Sequence, residues 1–278
     1  MKQKKESIAI IICYIGKLPW YFDYFAHSCK YNPSVDFFIV TDDTGYLKSV
    51  SSNIRFIYKT LSEINQIAKK KLELPVQITT GYKLCDFKPT YGILFSELLK
   101  GYDFWGHGDI DMIFGNIRNF ITDELLNTYE LISVRHDFLT GQFLLFRNND
   151  KMNNLFTLSR DYKKVLSSDR HYCFDETNFQ WDAFTSGKQY TEIPSEIESM
   201  THLVMRLKET GYLKAYFDFL IVEGTPGKIR WENGKLYYRN KFEALLYHLV
   251  RFKNICTPKK NRKPIPNVFT ISPIRIYH

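Results

Sequence analysis

Two aspartates one residue apart, Asp109 and Asp111, are the residues of this chain best suited to do chemistry. They sit in the segment Phe104-Trp-Gly-His-Gly-Asp-Ile-Asp-Met-Ile-Phe-Gly115. In an extended stretch, residues i and i+2 face the same side, so both carboxylates can enter one pocket. Neighbouring carboxylates repel unless a cation lies beside them. A hard divalent ion, Mn2+ or Mg2+, suits such oxygen ligands and would also grip a diphosphate. Held there, the ion offsets charge gathering on a departing phosphate group. Gly106 and Gly108 are expected to let the backbone approach a ligand closely.

Asp-x-Asp recurs by chance, so its setting matters. A calcium loop needs an oxygen ligand where Ile113 stands, so that use fails. A phosphatase of the haloacid-dehalogenase type carries such a pair near its N-terminus, with Thr or Val following; here the pair lies mid-chain and Ile113 follows.

The elements that must position the pair alternate between strand and helix. Ile8–Cys13 is a short apolar run suited to a strand buried on both faces. Pro19 is expected to open a helix running through Tyr31. Asp36–Thr41 and Ile54–Tyr58 read as strands, the first ending in the turn cluster Asp42-Asp43-Thr44-Gly45. Leu61–Leu72 has apolar residues at helical spacing. A helix from Pro89 to about Lys100, a strand at Tyr102–Gly106 and strands at Leu131–Val134 and Phe143–Phe146 follow. Further on, Asp175–Phe184 and Phe242–Val250 read as helices. Glu232-Asn233-Gly234 predicts a hairpin between Ile229–Trp231 and Lys235–Tyr238. The fold class is α/β, with a mixed sheet flanked by helices. In such sheets ligands bind beyond the carboxyl ends of the strands, where strand order switches. Asp42, Asp43, Asp109 and Asp111 all fall at strand ends.

Composition narrows the partners. The chain has 278 residues, enough to bury a sizeable core. Aromatics make up 16%, and most must be core because so many rings cannot line one cleft. Five scattered cysteines without a CxxC pair argue against a disulfide framework or zinc site and fit a reducing, cytoplasmic setting. The apolar run from Ile8 lacks a following small-x-small cleavage site, so a buried first strand is the better reading than a leader. The net charge of +8 is concentrated in part at Arg251, Lys253, Lys259, Lys260, Arg262 and Lys263. An anionic ligand or the anionic inner face of a membrane would suit that cluster. No nucleic-acid module accompanies it.

With these residues in view, the chain resembles the GT-A class of glycosyltransferases, in particular bacterial enzymes that build capsule or lipopolysaccharide. The resemblance is carried by Ile8–Gly16, Val40-Thr-Asp-Asp43, Lys83-Leu-Cys-Asp-Phe-Lys-Pro89, Trp105–Gly115 and Tyr247-His-Leu-Val-Arg-Phe-Lys253. It implies a GT-A fold and transfer of a sugar from a nucleotide-diphosphate donor to a saccharide or lipid-linked acceptor. Tyr14, Gly16 and Asp42 would hold the nucleotide. Lys83, Asp86 and Lys88 would lie beside the sugar-phosphate, with Asp109 at the ribose or the metal. Asp111 and a late His248 would complete the metal site, and Lys253 would meet the diphosphate. Read from the residues themselves, Asp175 or Glu176 could take the acceptor's proton or simply open a helix whose dipole favours acids; Asp137 is a further carboxylate, with Arg135, His136 and Gln142 on the acceptor side.

The resemblance also implies one catalytic domain over 1–257, its nucleotide half about 1–120 and its acceptor half about 121–257, with a basic tail over 258–278. Two other functions compete. A sugar-nucleotide nucleotidyltransferase usually opens with a Gly-rich, Arg-containing loop, whereas Tyr14–Trp20 has one glycine and no arginine. A non-catalytic sugar- or nucleotide-binding protein of degenerate transferase fold is the other, and intact Asp109 and Asp111 argue against it.

Overall fold

In a computed structural model describing residues 5–46, 50–224, 227–256 and 264–278, the chain folds around a seven-stranded mixed sheet. Strands are numbered along the chain. The sheet runs β3 (Ile54–Tyr58), β2 (Val35–Thr41), β1 (Ile8–Tyr14), β4 (Phe104–Gly108), β7 (Phe143–Arg147), β6 (Leu131–Ser133), β8 (Ala215–Phe217). The first four are mutually parallel, and β7 is antiparallel to both its neighbours. The α/β class with a Rossmann-like sheet is therefore present as expected.

Alternation along β1 explains the layering. Ile8, Ile10 and Ile12 enter one core with Phe22, Phe25 and Cys29 of the helix Phe22–Lys30. Ala9 and Ile11 enter the other, with Ile64 and Ala68 of the helix Leu61–Leu72 and Leu203 and Val204 of the helix Met200–Glu209. Each such buried isoleucine contributes roughly 1.5–3 kcal/mol, which fixes the register of the central strand.

Two smaller sheets complete the fold. One joins β5 (Met112–Phe114), β13 (Leu246–His248) and β9 (Ile221–Val222). The other runs β12 (Phe242–Ala244), β11 (Lys235–Tyr238), β10 (Ile229–Glu232), β14 (Val268–Ile271), β15 (Ile276–Tyr277). The hairpin between β10 and β11 turns at Asn233 and Gly234, both at positive φ, as a tight primed turn requires.

Several expected elements differ. The first helix starts at Phe22, because the chain after Pro19 makes a turn first. The strand before the aspartates is Phe104–Gly108, two residues later than expected. Residues 174–179 are turns, and helix occurs only at Trp181–Thr185, since Asn178 and Phe179 have positive φ that a helix cannot use. Phe242–Val250 is two strands rather than a helix. Its Ala and Leu content favours helix, but pairing of β13 with β5 and β9 overrides that preference. Instead of a helix beginning at Pro89, a 3-10 helix spans Tyr82–Thr90 and continues as α-helix only through Leu94. The segment read as a tail, 258–278, ends in β14 and β15, with Phe269 buried. Lys259, Lys260, Arg262 and Lys263 lie outside the described residues. Among the described residues no helix is long and apolar enough to cross a membrane.

Candidate active site

β4 lies on the side of β1 opposite β2, so strand order switches between β1 and β4. A cleft of about 640 Å3 opens beyond their carboxyl ends. Asp109 and Asp111 follow β4 directly and line it, with Tyr14 and Ile15 from the end of β1. β13 runs antiparallel to β5 with His248 opposite Met112, and Leu249 N–H donates to the Asp111 carbonyl at 2.8 Å. This pairing brings a distant segment beside Asp111. His248 Nε2 lies 3.4 Å from Asp111 Oδ2, and Lys253 Nζ donates to the same oxygen at 2.7 Å.

One ligand atom each from Asp109, Asp111 and His248 lie within 4.8 Å of one another. Two carboxylate oxygens and an imidazole nitrogen form a donor set that fits a divalent ion of the Mn2+ type. Asp111 is nine-tenths buried or more, so its charge needs a partner. Burial opposes that charge, but His248 and Lys253 hold the carboxyl well below its usual range. Burial likewise opposes charge on His248, while Asp111, Glu223 and Asp109 raise its pKa to about 10.

The 3-10 helix explains the opposite wall. Its residues repeat every three positions, so i and i+3 share a face. Tyr82, Cys85 and Lys88 form the face lining the cleft. Leu84 and Phe87 form a second, in the core. Lys83 and Asp86 form the third and correct the expected donor-binding role. Both are fully buried and outside the cleft. Lys83 Nζ donates to Asp86 Oδ2 at 2.8 Å and to the carbonyls of Val165 and Arg170. Asp86 accepts the backbone N–H groups of Tyr172 and Phe174. The pair therefore anchors the segment leading to Asp175.

Lys88 does reach the site. Its Nζ donates to Asp109 Oδ1 at 2.6 Å and to the Gly141 carbonyl at 2.9 Å, and lies 3.5 Å from Asp175 Oδ2. Burial works against its charge, but Asp109 and Asp175 keep its pKa well above the ordinary lysine value. Asp175 is also buried, and burial together with Glu176 raises its carboxyl well above the usual range despite Lys88. Glu176 lines the cleft with both oxygens engaged, accepting Gly141 N–H at 2.6 Å and the Trp181 indole N–H at 2.7 Å. Gly141 packs tightly here: a Cβ would stand 2.6 Å from Asp175 Oδ2 and 3.0 Å from Lys88 Nζ, so those side chains would have to shift.

Gly16 and Asp42 lie in an adjoining hollow of about 450 Å3. Gly16 N–H donates to Asp42 Oδ1 at 2.7 Å, and Leu18 N–H to Asp43 Oδ2 at 2.8 Å, which ties the loops after β1 and β2 together. Gly106 and Gly108 serve strand packing rather than a ligand. A Cβ at Gly106 would meet Leu145 and the Leu144 carbonyl of β7 at about 2.5 Å, and one at Gly108 would meet Met112 at 3.0 Å. Gln142 lines the cleft, whereas His136 packs edge-on against Phe219. Arg135 and Asp137 pair with each other at 2.5 Å.

Glu223 has no motif to announce it, and sequence reasoning missed it. It follows the two-residue strand β9 and faces His248 Nδ1 at 3.5 Å. The signal available was a short β-branched run ending in an acid. Tyr21, Cys13 and Cys85 also line the cleft without having been singled out.

Comparison with known proteins adds the following. No curated protein matches the chain. A crystal structure of the galactosyltransferase LgtC in complex with donor and acceptor sugar analogs is similar at 12% identity and a TM-score of 0.37, over 86% of each chain. Residues 10–278 match the model of a family of unknown function, DUF6625, and the chain belongs to that family.

Proposed function

We propose that the protein is a metal-dependent glycosyltransferase that moves a sugar from a nucleotide-diphosphate donor to a saccharide or lipid-linked acceptor. The observation that carries this reading is the meeting of Asp109, Asp111 and His248 with Lys253 at the switch point between β1 and β4. Asp109, Asp111 and His248 would hold Mn2+ or Mg2+, which supplies Lewis-acid stabilisation of the leaving diphosphate. Lys253, part-exposed on Asp111, is within reach of a phosphate in the same cleft and would share that charge. Tyr14 at the end of β1, with the adjoining hollow at Gly16 and Asp42, would take the nucleoside.

Lys88 holds Asp109 on one side and Asp175 on the other, linking the donor side to the acceptor side. Of the two acidic candidates, Asp175 suits proton transfer better, because both oxygens of Glu176 are already engaged. A buried carboxyl with a raised pKa is closer to the working range of a general base. The domain reading follows the same division: 1–120 for the donor and 121–257 for the acceptor, with His248 and Lys253 returning to the donor side. The basic residues Lys259, Lys260, Arg262 and Lys263 would rest on anionic lipid near a lipid-carried acceptor. Unchanged vesicle binding after their neutralisation would remove that part.

The test is a screen of nucleotide sugars for slow hydrolysis with Mn2+. One donor should release its nucleoside diphosphate, and chelation or Asp111→Ala should stop the release. Hydrolysis that persists in chelator would overturn the metal-dependent reading. Asp175→Asn should lower transfer to acceptor by roughly 100-fold or more while nucleotide binding is kept, as single-turnover kinetics and titration would register.

A further inference from the structure

We propose that Glu223 is a positioning residue that, held by Arg135 and Gln142, fixes the ring of His248 so that Nε2 faces Asp111. The proposal rests on the reading of Asp109, Asp111 and His248 as a cation site, and adds three residues to it. β9 pairs in parallel with β13, Ile221 opposite Leu246 and Val222 opposite Tyr247. Continuing that register brings Glu223 opposite His248. The imidazole therefore stands between two carboxylates, with Nε2 3.4 Å from Asp111 Oδ2 and Nδ1 3.5 Å from Glu223 Oε1. Nδ1–H donated to Glu223 leaves the Nε2 lone pair for a metal.

Glu223 is itself immobilised through both oxygens. Oε2 accepts from Arg135 Nη1 at 2.5 Å, and Oε1 accepts from Gln142 Nε2 at 2.8 Å. The other edge of Arg135 binds Asp137 through Nε and Nη2, and its guanidinium lies over Phe138 at 4.3 Å and Phe219 at 5.3 Å. Asp137 also accepts from Thr185 Oγ1. An arginine clamped between two rings and two carboxylates is a rigid backing for Glu223. Arg135 is not among the residues lining the cleft, which fits support of His248 rather than contact with substrate.

Mn2+ titration followed by electron paramagnetic resonance on the full chain tests this. Glu223→Ala should weaken the Mn2+ dissociation constant about ten- to hundredfold. The isosteric Glu223→Gln, which keeps an acceptor oxygen but loses the charge, should weaken it by about fivefold. This variant also covers the case in which Glu223→Ala does not fold. Wild-type Mn2+ affinity in the folded Glu223→Gln and Glu223→Ala variants would overturn the positioning role alone. Absence of Mn2+ binding by the wild type, or wild-type binding by Asp111→Ala, would instead overturn the cation-site reading beneath it.

Discussion

At the scale of single residues, the fate of the lysines and aspartates separates chemistry from scaffolding. Lys83 and Lys88 are five positions apart and read alike in sequence, yet one is sealed in the core and the other lines the cleft. Asp86 is held below the usual carboxylate range: burial would raise it, but His171 and Lys83 outweigh that. Asp86→Asn leaves Lys83 buried without its counter-charge and should cost about 3 kcal/mol. Because the Asp86 pKa is depressed on folding, its contribution is present above the ordinary value of 3.8 and is lost as pH falls through the folded value. Denaturation curves should therefore show the gap between wild type and variant shrinking below about pH 3.8. Asp111→Ala acts on the other class. It removes the shared partner of His248 and the part-exposed Lys253, and in the folded variant it should lower activity about a thousandfold, equivalent to about 4 kcal/mol of transition-state stabilisation, measured as kcat/KM with the best donor.

At the scale of elements, the site depends on two devices. One is the 3-10 helix, whose threefold repeat sends Tyr82, Cys85 and Lys88 to the cleft and Lys83 and Asp86 inward. The other is the turn at Gly141, packed against Asp175 and Lys88. Gly141→Ala should cost about 1–3 kcal/mol through overpacking, seen as a lowered melting temperature, and should displace Lys88 from Asp109 with loss of donor hydrolysis. Legibility followed the same physics. Leu61–Leu72 was readable to the residue because its apolar residues recur at helical spacing, and the structure adds a capping box of Thr60 and Glu63 at its start. β1 and β2 were readable because buried parallel strands are largely apolar runs, and β3, the part-exposed edge strand, because of its Ile and aromatic residues. β13 was not, since Ala, Leu and Glu favour helix locally and only pairing with β5 and β9 makes the segment a strand. Glu223 was invisible for the same reason: its partner His248 is set by that pairing.

At the scale of the whole molecule, the main sheet supplies the switch point and the chain's last third returns to complete it. β13 delivers His248 and the short helix Phe252–Ile255 delivers Lys253, while the C-terminal strands β14 and β15 brace β10. The placing of Asp109 and Asp111 at a strand end was legible; the return of His248 beside them was expected, but as part of a helix. The most direct measurement is calorimetric titration of nucleoside diphosphates into the wild-type protein and Asp111→Ala, with and without Mn2+. Binding of at least one nucleoside diphosphate that appears with Mn2+ in the wild type and disappears in Asp111→Ala is the predicted result. Equal binding with and without Mn2+, or no binding by any of them, would contradict the account.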